Sequence, residues 1–387
     1  MGVLKAEPAR PQDWAAKSVG AAWRAFDWQM AIFAVLLVGF GQAVAYSNTI
    51  AAGDGVFDSG STFARGLLWT AIAVIAFVIA AAFDYKWLRT FAWPLYFANL
   101  GLLGLTLAIG DGVSGAARWI SIGPWFQFQF SELAKILMIV VLANYLASRQ
   151  KTLDSIWTIL GACLLVVPAW LLVLLQPDLG TSLVLAGILA GMLFMSGASV
   201  RWLAVLAAAI IAVVPIAWTY ILRDYQKQRL LSFLDPSADP QGSGYQLLQS
   251  QIAVGSGGLF GKGLTNGTQT AGDFLPVQTT DFAFALLAEE LGFLGAILVL
   301  GLFVALIWRI LLTAWRSQEP FGLCIAAGVA SMLLVQVVIN VGMVIGVMPI
   351  TGIPLPFITH GGASLISIAL GLGILQSINI RQTRAEW

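Results

Sequence analysis

Long apolar runs constrain this chain more than any other feature. Stretches such as "QMAIFAVLLVGFGQAVAYSN" (29–48) and "SIWTILGACLLVVPAWLLVLL" (155–175) have the length an α-helix needs to cross a ~30 Å hydrocarbon core. Lipid offers no partner to backbone N–H and C=O groups, so each run must close its hydrogen bonds within itself, as a helix. The charge content agrees: 10% of residues are charged and 59% hydrophobic, where a soluble domain carries roughly 25% charged residues. A net charge of +1 provides no basic field for nucleic acid. The expected fold is an all-α polytopic membrane protein.

Ten spans are expected, at about 29–48, 66–83, 88–109, 130–147, 155–175, 179–198, 201–222, 293–310, 321–348 and 360–380. They form one transmembrane domain over 29–380, between an N-terminal tail (1–28) and a short C-terminal tail (381–387). One connection, 223–280, is long and polar, and a loop of that length in a compact protein is usually functional. The N-terminal tail, the loops with Lys86/Arg89, Arg149/Lys151, Arg201 and Arg309/Arg316, and the tail with Arg381/Arg384 fall on one side and hold most of the 20 basic residues. By the positive-inside rule that side is cytoplasmic, with both termini inside and the long loop outside. Cys163 and Cys324 lie in apolar runs and read as small buried hydrophobes.

The stretch "TTDFAFALLAEELGFLGAILVLGLFVALIWRI" sets three carboxylates, Asp281, Glu289 and Glu290, at the start of about 30 residues of helix. That is ~45 Å, too long for an upright span. The reading is a short helix from Asp281 to about Leu291, a break near Gly292, then the span, with the carboxylates facing a cavity rather than lipid. Other unusual residues fall on the same outer face: Arg118 in "GAARWI", Glu132 and Lys135 on one helical face in "QFSELAK", Asp178 in "LQPDLGTS", and the proline-broken turn "PITGIPLPF". Bland readings stand beside these. Glu132–Lys135 serves either as a tying ion pair or in a functional interior. Asp178 suits a helix N-cap, with a cavity role second. Asp281 suits an N-cap or chemistry. The glycines of "GSGGLFGKGLTNGTQ" lack P-loop spacing and support only a flexible loop approaching a substrate closely. His360 reads as a structural residue.

Taken together, "GYQLLQSQIAVGSGGLFGKGLTNGTQ", "LPVQTTDFAFALLAEELG", "QPDLGTS", "SELAK" and "MPITGIPLPFITHGG" resemble the SEDS family (shape, elongation, division and sporulation), its RodA-like branch more than its FtsW-like one. The resemblance runs from about Phe26 to Ile380 and implies ten transmembrane helices in the bacterial cytoplasmic membrane. It further implies a peptidoglycan glycosyltransferase that polymerises lipid II into undecaprenyl-linked glycan on the outer face during elongation. A divalent cation (Mg²⁺ or Mn²⁺) and a class B penicillin-binding protein partner belong to the same picture. By motif, Asp281 matches the family's essential aspartate, and Glu132 and Lys135 its cavity pair. Phe130, Val277 and the run Thr359–His360 depart from the family pattern.

Glycan polymerisation of this kind displaces a pyrophosphate at C1 by a 4-hydroxyl with inversion. It needs a carboxylate to take the proton and positive charge at the leaving group. Asp281 is expected as the base, alone or with the cation. Lys135 and Arg118 come first for the pyrophosphate, followed by Arg223, Lys227, Arg229 and Lys262. Two rival readings remain at this point: a lipid II flippase, and a non-catalytic scaffold for a penicillin-binding protein. The outward bias of the unusual residues and the lack of a repeat weigh against a transporter.

Overall fold

The computed structural model describes residues 25–58, 60–113, 116–122, 126–216, 218–219, 224–239, 242–271, 281–359 and 361–382. Most of them are helical: α1 (Trp28–Ala51), α2 (Thr62–Ala82), α3 (Tyr85–Thr90), α4 (Ala92–Ile109), α5 (Phe130–Ser148), α6 (Ile156–Leu175), α7 (Leu179–Met195), α8 (Val200–Ile216), α9 (Asp224–Leu234), α10 (Ser243–Ser256), α11 (Thr268–Ala271), α12 (Ala283–Arg316), α13 (Pro320–Val344) and α14 (Gly362–Gln382). Eight are long and apolar enough to cross a membrane, and α7 and α8 supply two shorter apolar helices. The protein is a multi-pass, all-helical membrane protein, with an apolar helix at every expected span. Helices α5, α13 and α14 are the most buried and form the centre, whereas α2 is mostly exposed on its outer side. Helix α13 packs on α5, α7 and α12, and α14 on α2 and α5.

Three local differences from the expected elements have physical causes. The span expected over 88–109 is split at Phe91 into α3 and α4. Pro94 thereby falls in the first turn of α4, where a missing N–H costs no intrahelical bond. The stretch before α5 is not irregular: β1 (Asp111–Val113), β2 (Ala116–Ile122) and β3 (Phe126–Phe128) form an antiparallel sheet with Ile120 opposite Phe128. Trp119, Ile120 and Phe128, each half-buried, suit such a sheet. The long loop is also structured, carrying α9, α10 and α11. At the start of α10 the Asp239 carboxylate accepts from Ser243 N at 2.9 Å and Ser243 Oγ at 3.1 Å.

The expected break in α12 falls at Gly292, with φ 68° and ψ −169°. Before it lies a half-helix whose residues Ala283 to Glu290 are all buried, so it enters protein rather than lipid. A helix ending at Leu291 would leave its last carbonyls without donors. The glycine-rich loop supplies them: Lys262 N donates to Glu289 O at 3.1 Å and Gly263 N to Glu290 O at 3.0 Å. In return Phe293 N donates to Gly258 O at 2.9 Å. The described glycines of this loop therefore approach a helix end, where a substrate was expected. A Cβ on Gly292 would stand 2.2 Å from Gly261 N, backbone that cannot swing aside. Gly292→Ala adds that clash to a left-handed φ costing about 1–3 kcal/mol. It is expected to lower the thermal midpoint in detergent by several degrees, measured by tryptophan fluorescence; an unchanged midpoint would contradict the close packing of the glycine-rich loop on this helix end.

Candidate active site

Asp281 lies two residues before α12, half-buried, at the mouth of the buried half-helix. Its carbonyl oxygen accepts a hydrogen bond from Asn340 Nδ2 at 3.0 Å, and the same Nδ2 donates to Ile353 O at 2.7 Å. Asn340 is fully buried in α13, so one amide ties the backbone of Asp281 to the proline-rich turn. In that turn Gly352 has φ 74°, and a Cβ built on it would lie 3.4 Å from Asp281 Oδ2 and 3.8 Å from Arg229 Nη1. The Asp281 carboxylate and the α9 guanidinium thus both flank Gly352.

The second cluster is the pair on α5. Lys135 Nζ lies 2.8 Å from both carboxylate oxygens of Glu132, and the residues are 1% and 2% exposed. Removing two charges from water is costly, and only their mutual attraction with good geometry offsets it. The expected helical spacing therefore gives a real, dry ion pair.

Asp178 caps α7, accepting from Thr181 N at 3.0 Å and Thr181 Oγ1 at 2.8 Å. It also accepts from Gln129 Nε2 at 3.1 Å and Ser131 Oγ at 3.4 Å, the residues that lead into Glu132. Arg118 on β2 donates through Nε to Gln176 O at 3.1 Å and through Nη2 to Pro177 O, bracing the same turn. The start of α7 packs on the proline-rich turn that Asn340 ties to Asp281: a Cβ on Gly180 would lie 2.8 Å from Ile353 Cγ1. The separated motifs thus meet at one end of the bundle, linked by named contacts.

The other two carboxylates do different work. Glu289 accepts from Lys262 Nζ at 2.7 Å, Thr268 N at 2.9 Å, Thr268 Oγ1 at 2.9 Å and Gln269 N at 3.2 Å. Glu290 accepts from Ser47 Oγ and, at 3.2 Å, from Thr265 N. Both organise the glycine-rich loop. Lys262 is committed to Glu289, Ser256 Oγ at 2.9 Å and Thr268 Oγ1 at 2.7 Å. Lys227 is half-buried on α9, while Arg223, Val277 and His360 lie outside the described residues.

Sequence reasoning passed over Asn340 and Gln336, although "LVQVVINVG" carried the signal: two amides in an apolar run, where polar side chains are costly. Gln336 is buried with neither amide atom bonded, and Asn340 Oδ1, Thr351 Oγ1, Ser364 Oγ and Ser367 Oγ are likewise buried without a partner among the described residues. Buried polar groups normally find partners. These buried groups are hydrogen-bonding capacity that the described residues leave unspent.

The family model for FtsW, RodA and SpoVE, described as a cell cycle protein, matches residues 27–384. The peptidoglycan glycosyltransferase MrdB of Escherichia coli (strain K12) is 42% identical over 311 residues, covering 80% of this chain and 83% of that protein. Among solved structures, a chain of a peptidoglycan synthase complex that coordinates polymerization and crosslinking superposes with a TM-score of 0.77 at 31% identity, covering 92% of this chain and 98% of that one. The crystal structure of Thermus thermophilus rod shape determining protein RodA gives a TM-score of 0.66 at 29% identity, covering 92% and 97%.

Proposed function

The chain belongs to the SEDS family of FtsW, RodA and SpoVE proteins, and from that premise we propose that it is an inverting peptidoglycan glycosyltransferase. It polymerises lipid II on the outer face of the cytoplasmic membrane, in support of cell elongation and shape. The observation that carries the reading is Asp281: a half-buried carboxylate whose backbone is pinned by Asn340 to the proline turn, with the Arg229 guanidinium close by.

In this reading Asp281 accepts the proton of the acceptor sugar's 4-hydroxyl as its oxygen attacks C1 of the donor. The C1–O bond to the undecaprenyl pyrophosphate breaks on the opposite face, and the anomeric centre inverts. A positioned base of this kind contributes roughly 10²–10⁴-fold. Positive charge must meet the departing pyrophosphate. Lys135 and Arg118, the first choices from sequence, are engaged with Glu132 and with the turn carbonyls, and Lys262 with Glu289. Arg229 becomes the preferred cation because its guanidinium and the Asp281 carboxylate both flank Gly352. Glu132–Lys135 and Asp178 then serve to shape the cavity wall.

A divalent cation, Mg²⁺ or Mn²⁺, fits this reading. No group of three metal-ligating side chains occurs among the described residues. Asp281 would hold the cation together with water and substrate phosphate oxygens, a usual arrangement for Mg²⁺, and the ion would supply charge at the pyrophosphate. A class B penicillin-binding protein is the proposed partner, in keeping with the synthase complex whose chain superposes on this one.

The test is reconstitution of the purified protein with that transpeptidase, lipid II and Mg²⁺ or Mn²⁺, reading glycan chains on a gel. Chains are expected only with lipid II and the cation both present. Failure to form chains, together with movement of lipid II across proteoliposome bilayers, would replace the polymerase by a flippase. Failure of both would leave a scaffold.

A further inference from the structure

At the far end of α12 from Asp281, the last turns of α12 and α14 and the entry to α1 enclose a cavity of about 680 Å³ that the proposed reaction does not use. Its polar wall includes Arg309, Arg316, Asp27, Thr313, Asn379 and Gln382. Asp27 caps α1 by accepting from Met30 N at 3.0 Å. It also accepts from Arg309 Nε at 3.1 Å and Arg309 Nη2 at 2.8 Å, so one carboxylate neutralises one guanidinium. Arg309 Nη1 has no acceptor among the described residues. Arg316, two turns on, is exposed and makes no hydrogen bond or ion pair among the described residues. Among the described residues the wall therefore carries one surplus positive charge and several neutral hydrogen-bonding side chains.

Its depth matters as much as its charge. Arg309 lies 17 residues beyond Gly292, about 26 Å along the helix, so the cavity sits where the span leaves the hydrocarbon. Trp308 and Trp315 are 62% and 88% exposed there, as aromatic side chains are at a membrane interface. A soluble polyphosphate would find only one unneutralised charge and would leave these rings bare. A phospholipid would place its phosphate between Arg309 Nη1 and Arg316 and cover the rings with its acyl chains. Basic pockets between transmembrane helices on the cytoplasmic side recognise anionic headgroups in this way.

We propose that this cavity is a binding site for the phosphate headgroup of an anionic phospholipid, in the cytoplasmic leaflet under the orientation given above. The site depends on the placement of the bundle in the membrane and not on glycosyl transfer, so either reading can fail without the other. The test uses the full-length protein in neutral detergent, titrated with phosphatidylglycerol and followed by native mass spectrometry. Phosphatidylcholine and inorganic phosphate are the competitors. Wild type is expected to retain phosphatidylglycerol against both. Arg316→Gln should weaken retention roughly fivefold, the effect of one basic side chain at a headgroup, and Arg316→Lys should restore most of it. Arg89→Gln, which removes an exposed arginine of α3, should change nothing. Equal retention by Arg316→Gln and wild type would overturn the proposal, as would an equal loss in Arg89→Gln. Displacement by phosphatidylcholine would reduce the site to general lipid contact, and displacement by inorganic phosphate would assign it to a soluble anion; either result refutes the headgroup assignment.

Discussion

Asp281→Asn is expected to abolish glycan-chain formation while leaving the protein folded. The substitution keeps the shape of the side chain and removes its charge. The bond from Asn340 is to the backbone carbonyl of Asp281, so it survives. What is lost is the acceptor for the hydroxyl proton, and the turnover rate should fall by roughly 10²–10⁴-fold. Binding of lipid II should change far less, because the cavity wall and Arg229 remain. The measurement is single-turnover chain formation with the transpeptidase and cation present, beside a thermal midpoint for each protein. Equal rates in the two proteins would take Asp281 out of the mechanism. A lost midpoint would show that its role is structural.

The second large effect is on stability. Glu132→Ala leaves the Lys135 ammonium 1% exposed with no counter-charge, and breaking a buried pair from one side costs about 3–5 kcal/mol. The thermal midpoint and the yield of monodisperse protein should both fall sharply. The double replacement Glu132→Leu with Lys135→Met removes both charges at similar volume, and such exchanges are often neutral. Most of the stability should return. Chain formation then separates the two readings of the pair. If it returns with stability, the pair only ties α5 to its neighbours; if it stays lost, the charges belong to the cavity's function. The expected result is that it stays lost, because Ser131 and Gln129, next to the pair, are bonded to Asp178, and the start of α7 packs on the proline-rich turn that Asn340 ties to Asp281.

Particular residues show how far sequence reading reaches. The break at Gly292 was legible because about 30 residues of helix exceed the bilayer and a glycine stood at the excess. The Glu132–Lys135 pair was legible because three residues apart on a helix means one face. Asp178 as a cap followed from its place before an apolar run, and its bond to Thr181 N bears that out. The sheet over 111–128 was missed because its strands are short and its alternation weak beside the long apolar runs. The glycine-rich loop was aimed at a substrate because spacing says only that backbone comes close to something, not to what. The commitments of the basic candidates were out of reach for a related reason: Lys262 looks available in the loop until its bond to Glu289 is located.

The sequence alone determined the membrane fold, the near-complete set of spans and the crowding of unusual residues at one end. Those follow from local rules, since lipid requires each crossing segment to satisfy its own backbone and basic residues mark the side that stays in the cytoplasm. Only the tertiary structure decided how the three carboxylates differ in their surroundings. Glu289 and Glu290 are as acidic in sequence as Asp281, but their bonds to Lys262, Thr268, Ser47 and Thr265 commit them to the loop. Asp281 instead meets Asn340, Gly352 and Arg229, which come from three different elements. The reason is physical: a charge acts on what lies within a few ångströms of it, and for these residues those neighbours are set by helix packing across distant parts of the chain.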